Sequence, residues 1–121
     1  MYDFTRHHKL RKADDFSSVF ILRKLKYSEY LKINYKPTTL IHSRLGIIVG
    51  KKVHKRATKR NYMKRTLREL FRVHSHNWQA YDIIIRINKY FTAENYSQIK
   101  LEFINLTKHL NKPSVTFGNT K

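Results

Sequence analysis

Residues 57–73 read ATKRNYMKRTLRELFRV, seventeen positions without Gly or Pro. Met63, Leu67, Leu70 and Phe71 recur at i, i+4, i+7 and i+8, the spacing that gathers one apolar stripe on a helix. At roughly 100° per residue, Asn61, Arg65, Arg68 and Arg72 fall within about 60° of one another, about 140° from that stripe. One face is expected to be core and another guanidinium. Arg60 and Lys64 have side chains long enough to turn their charge toward the same solvent side.

Strands are expected on either side of this helix. Leu45 to Val49 is a short apolar, β-branched run containing Gly46 and ending at Gly50, read as a strand with a possible continuation through 51–53. Tyr81 to Ile87 holds Ile83, Ile84, Ile85 and Ile87 and reads as a well-buried strand. Farther upstream, Leu31, Ile33 and Tyr35 alternate with Lys32, Asn34 and Lys36 up to Pro37, the pattern of a half-buried strand, and residues 38–43 read as a loop. At the chain's two ends, Asp14 or Asp15 caps a short helix with Phe16, Val19 and Phe20 on one face. Ile99, Phe103, Leu106 and Leu110 at i, i+4, i+7 and i+11 predict a helix over 94–110. The expected order is α-β-β-(β)-α-β-α: an α+β fold, a single two-layer α/β sandwich with a small mixed sheet and about three helices. Residues 1–12 read as a basic arm, 13–110 as one domain and 111–121, with Pro113 and Gly118, as a flexible tail.

The chain has 121 residues, 26 Lys plus Arg against 8 Asp plus Glu, and a net charge of +18. A folded chain of this size exposes about 7,000 Å², so the excess amounts to roughly one positive charge per 400 Å². Such a surface attracts polyanions. With 40% hydrophobic and 13% aromatic residues, the chain has the side chains to offset ordering entropy, unlike a disordered basic tail. Ten basic residues and a single acid, Glu69, lie between Lys51 and Arg72. Like charges at i, i+4, such as Lys64 with Arg68, each cost an isolated helix roughly 0.2–0.5 kcal/mol. Solvated faces usually interleave both signs, so this one is expected to bind a polyanion. Charge alone does not choose between DNA and RNA.

Other chemistries are poorly supplied. Cysteine is absent, which removes disulfides, thiolate nucleophiles and sulfur-ligated metals. His74-x-His76 has no acidic residue at a ligand spacing, and Asp14-Asp15 is explained by a helix cap, so no metal site is expected. No Gly-rich phosphate loop occurs. No apolar run approaches the ~18 residues of a membrane span, and residues 1–12 hold no apolar signal segment, so the expected location is cytoplasmic.

The motifs carry a resemblance. Arg44-Leu45-Gly46, Lys51-Lys52, Arg56-Ala57 and Arg60-Asn61-x-x-Lys64-Arg65-x-x-Arg68-Glu69-x-Phe71-Arg72 together resemble the signature of the protein subunit of bacterial ribonuclease P. Asp15-Phe16-x-x-Val19-Phe20 and Tyr81-Asp82 extend the likeness over residues 9–110. The sequence departs from the pattern at Tyr62-Met63, where a basic residue and an isoleucine are commoner, and at His54-Lys55, where many members have a glycine.

The resemblance implies a ribonucleoprotein endonuclease that removes the 5′ leader of precursor tRNA, with the RNA performing the chemistry and the protein not itself cleaving. It implies a left-handed β-α-β crossover around the basic helix. Lys51, Lys52, Arg56, Arg60, Asn61, Lys64, Arg65, Arg68 and Arg72 would face the ribonuclease P RNA. Phe16, Phe20, Lys32, Ile33 and Tyr35 would line a cleft for the single-stranded leader, although Phe pairs at i, i+4 are by themselves more often core. Single strands are held by aromatic platforms in basic grooves. The protein alone would bind no cofactor and Mg2+ would serve the RNA-containing holoenzyme; the partners would be that RNA and precursor tRNA, with no membrane and no small-molecule substrate. Two rivals differ in prediction: a plain RNA- or DNA-coating protein would not prefer a precursor bearing a leader, and a self-sufficient ribonuclease would cleave without added RNA.

Overall fold

The computed structural model describes residues 24–112. Within them the order is β1 (Lys24–Tyr27), β2 (Leu31–Pro37), β3 (Arg44–Ile48), α1 (Ala57–His74), β4 (Tyr81–Ile87) and α2 (Tyr96–Thr107), with single 3-10 turns at Ser75–Asn77, Ala93–Asn95 and Lys108–Leu110. The sheet order is β1-β2-β4-β3. β1 and β2 pair antiparallel, as do β2 and β4, while β3 and β4 run parallel. A parallel pair needs a long crossover, and α1 supplies it.

The sheet is small and mixed, and the fold is α+β, as expected. The helix expected around residues 16–20, the arm and residues 113–121 of the tail lie outside the described residues. Three details differ from the sequence reading. β1, with the sequence KLKY, was not expected; all four residues are exposed, so no buried face imposes a period. Residues 51–53 do not extend β3: the Val53 N–H donates to the Gly50 carbonyl at 3.0 Å, closing a turn. The helix expected over 94–110 is an α-helix only from Tyr96 to Thr107, flanked by the two 3-10 turns.

One face of the sheet forms the core. Leu31 and Ile33 of β2, Leu45 of β3 and Ile83, Ile85 and Ile87 of β4 meet Met63, Leu67, Leu70 and Phe71 of α1 and Ile99, Phe103 and Leu106 of α2. Each such apolar side chain gains about 1.5–3 kcal/mol on full burial. Trp78 closes one end between Phe71 (ring centroids 5.5 Å apart) and Phe103 (5.9 Å). The chain after α2 is tied beside it, since Gln79 N–H donates to the Leu110 carbonyl and Lys112 N–H to the Asn77 carbonyl, both at 2.8 Å.

Glu102 of α2 fastens the β1–β2 turn. Its carboxylate accepts hydrogen bonds from the Ser28 hydroxyl, the Tyr30 N–H (2.9 Å) and the Gln98 amide (2.7 Å). Burial raises its pKa, but these donors and the Lys89 charge outweigh that, and the carboxyl is held below its usual range.

Candidate nucleic-acid interface

The apolar stripe of α1 is where its spacing put it: Met63, Thr66, Leu67, Leu70 and Phe71 are buried. Asn61 and Arg65 are therefore exposed, with Lys64, Arg68 and Arg72 half-buried along the flanks. Lys51, Lys52 and Arg56 are exposed in the segment joining β3 to α1. Among the described residues, Lys64, Arg65 and Arg68 have no acidic partner. Glu69 is paired with Arg72, and the guanidinium hydrogen bond holds its carboxyl below the usual range. It does not reach Arg65.

Arg60 stands apart from its neighbours. Its Nη1 donates to the carbonyl oxygens of His54 (2.9 Å) and Lys55 (2.8 Å), binding the loop down against the first turn of α1. The Arg56 N–H donates to His54 Nδ1 at 3.1 Å. No side chain caps α1 at Arg56 and no acid lies in its first turn. The positive end of the helix macrodipole thus coincides with Lys55, Arg56 and Lys59, and the combination favours anions.

Side chains alternate across a strand, and the pairing of the strands fixes which of them are neighbours. Ile33 is 1% exposed in the core. Tyr35 shares its face, against Tyr81 (5.8 Å) and His109 (4.5 Å), and burial followed by the Tyr81 charge raises its phenol pKa. Lys32 lies on the opposite face. Lys32, Ile33 and Tyr35 therefore cannot line one surface, which corrects the sequence expectation: Ile33 and Tyr35 belong to the helix-covered side. Phe16 and Phe20 lie outside the described residues.

The face carrying Lys32 supplies residues that sequence reasoning passed over. In register across β1, β2, β4 and β3 stand Tyr27, Lys32, Arg86 and Ile48. Tyr27 is 70% exposed. Neighbouring strands lie about 4.8 Å apart, so Lys32 and Arg86 are like charges directly opposite, an arrangement that destabilises a sheet unless an anion joins them. The signal for Arg86 was in the sequence as the one break in the isoleucine run of β4. The next row, Leu25, Asn34, Ile84 and Gly46, is uncharged, and Ile84 is buried there. Beyond it Lys36 stands beside Asp82, which Arg44 grips. β3 and β4 both end next to the Tyr27 row, so the turn bearing Lys51 and Lys52 emerges at the same end of the sheet.

Among the described residues no cluster of three or more His, Asp or Glu is placed to hold a metal, and no helix is long and apolar enough to cross a membrane. The site is thus a basic helix face, an uncapped basic helix N-terminus and a basic, aromatic row on the sheet face opposite the helices.

The chain is similar to known proteins in sequence and in fold. A family model described as Ribonuclease P matches residues 4–111. The ribonuclease P protein component of Chromobacterium violaceum is 42% identical over 97 residues, 80% of this chain and 80% of that protein. That of Azoarcus sp. is 37% identical over 103 residues, covering 85% and 86%. Among solved structures, the RNase P protein of Staphylococcus aureus is similar with a TM-score of 0.77 at 26% identity, covering 87% of this chain and 98% of that one. The Thermotoga maritima RNase P protein gives 0.73 at 29% identity, covering 86% and 98%.

Proposed function

Since the chain belongs to the ribonuclease P protein family, the protein components of an endoribonuclease holoenzyme, we propose that it binds the catalytic RNA and the 5′ leader of precursor tRNA while the RNA cleaves. The observation that carries the reading is the basic face of α1, where Lys64, Arg65 and Arg68 stand without carboxylate partners among the described residues. With Lys51, Lys52, Arg56, Asn61 and Arg72 they neutralise phosphates of the RNA subunit. Each contact releases counterions and lowers the Mg2+ that the RNA needs to hold its active fold. Arg60 serves this surface by fixing the loop below it, and the β3–α1–β4 crossover has the left-handed sense of the family.

The leader lies across Tyr27, Lys32 and Arg86 on the sheet face opposite α1, and Phe16 and Phe20 are the aromatic residues the sequence assigns to it. A single strand there stacks on rings and lays its phosphates between like charges, at about 1–3 kcal/mol per stacked base. Mature tRNA has no leader and collects none of this, so precursor is preferred to product. The protein itself takes no metal; Mg2+ belongs to the RNA-containing holoenzyme. The test is binding of precursor and mature tRNA to the reconstituted holoenzyme. Phe16→Ala and Lys32→Ala weaken the precursor alone; equal weakening of both tRNAs contradicts leader recognition.

A further inference from the structure

A cavity of about 250 Å³ opens at the N-terminal end of α1, lined by Thr58, Lys59, Tyr62, Tyr90, Thr92 and Ala93. Its two tyrosines are braced from behind. Tyr90 leans on the His54 ring at 4.6 Å, and Tyr62 meets the fully buried Phe91 edge-on at 6.3 Å. They make no ring contact with each other, and among the described residues neither hydroxyl has a hydrogen-bond partner. Each of the two dipeptides at which the sequence departs from the pattern it resembles, Tyr62-Met63 and His54-Lys55, sends one ring here: Tyr62 lines the cavity and His54 stands behind Tyr90.

We propose that the cavity is a slot for one unpaired nucleobase of the RNA subunit, with the adjoining phosphate held at the start of α1. This rests on the RNA-binding reading above and names a contact separate from the guanidinium face. Three features select the occupant. The volume falls below the ~300–1,000 Å³ of pockets for drug-sized ligands, the right scale for one planar ring. The lining includes two tyrosine rings, on which any base can stack. The rim is cationic and supplies donors: the Lys59 ammonium, and the first-turn N–H groups of Ala57, Thr58 and Lys59, which precede the first intrahelical bond, from Arg60 N–H to the Arg56 carbonyl. The unpartnered hydroxyls of Tyr62 and Tyr90 are then available to the base edge. The occupant comes from the RNA subunit because the slot opens at the end of the helix whose basic face is assigned to that RNA, not on the sheet face assigned to the leader.

The experiment compares affinity for ribonuclease P RNA at fixed salt for the intact protein, Tyr62→Leu, Tyr90→Leu, both Tyr→Phe variants and Arg65→Ala. Loss of a stacked base weakens binding about five- to 150-fold. The Leu variants are expected to show that loss with an unchanged salt slope, and the Phe variants to keep the stack. As a second measurement independent of Leu-variant folding, Tyr90→Trp is expected to show indole quenching on addition of the RNA subunit before any precursor is present. Leu variants that bind like the intact protein, or a Trp emission that the RNA leaves unchanged, overturn the slot while a weakened Arg65→Ala leaves the RNA-binding reading standing. Quenching that appears only with precursor tRNA assigns the base to the substrate and overturns the proposal. An intact protein that binds ribonuclease P RNA no better than unrelated RNA overturns both.

Discussion

Arg44 and Asp82 clasp each other across the parallel pair β3–β4, with Nε on Oδ1 at 2.9 Å and Nη2 on Oδ2 at 2.8 Å. Asp82 is 1% exposed and the Arg44 side chain 21%. An arginine inside an RNA-binding signature thus has a role in the fold. Removing one partner of a buried pair leaves the other charge uncompensated, at about 3–5 kcal/mol. Arg44→Ala is expected to destabilise by that order in urea unfolding. Arg44→Met with Asp82→Leu recovers most of the loss, because no buried charge remains.

Arg65 and Arg68 have no structural partner to lose among the described residues. Replacing either with Ala is expected to leave the urea midpoint unchanged and to raise the Mg2+ needed for holoenzyme activity. Each lost phosphate contact also lowers the salt slope of RNA binding by about 1. Arg60→Ala behaves differently: it frees the 54–55 loop, so stability falls together with affinity. An unchanged Mg2+ requirement in both Arg65→Ala and Arg68→Ala contradicts the assignment of α1.

The two faces of β2 give opposite outcomes. Lys32→Ala and Arg86→Ala are expected to reduce the preference for precursor over mature tRNA, and to keep or slightly raise stability by relieving a like-charge pair worth roughly 0.2–1 kcal/mol. Ile33→Ala opens the core and costs about 2–5 kcal/mol, with precursor preference unchanged in whatever fraction folds. Parallel thermal melts and tRNA titrations separate the two.

This division of β2 marks where the sequence stopped being legible. Alternation gave the strand and put Ile33 on a buried face, but it does not say which face the helices cover, and a functional grouping across Lys32, Ile33 and Tyr35 ignored the alternation itself. α1 was legible almost to the residue because its apolar and basic stripes repeat over five turns. β1 was not: KLKY is exposed throughout, and its place is set by pairing with β2 and by Glu102 at the turn, a contact 72 residues away in the chain. Arg60 read as one more cation of the face. Only coordinates show its guanidinium spent on two carbonyls.

Acid is expected to loosen the fold in two stages. Burial, with Lys100 and His76 nearby, lowers the pKa of His74, and burial, with Lys26 nearby, lowers that of His109, which packs against Tyr35. An imidazole with a depressed folded pKa contributes fully above the unfolded value of about 6.5; as pH falls from there toward the folded value, the unfolded chain binds protons first and stability drops. Glu102, depressed below 4.5, contributes above its unfolded value and is lost only as pH falls from about 4.5 through its folded value. Urea midpoints between pH 7.5 and 5.5 are expected to decline, and to decline less in His74→Gln with His109→Gln. A flat profile in the unmodified protein contradicts the burial of these rings as neutral imidazoles.

The most direct test of the central claim is cleavage of a precursor tRNA bearing a 5′ leader at low Mg2+, with the protein alone, a bacterial ribonuclease P RNA alone, and the two combined. The account predicts accurate 5′ cleavage only in the combined reaction. Cleavage by nuclease-free protein alone, or no rescue of the RNA by the protein, contradicts it.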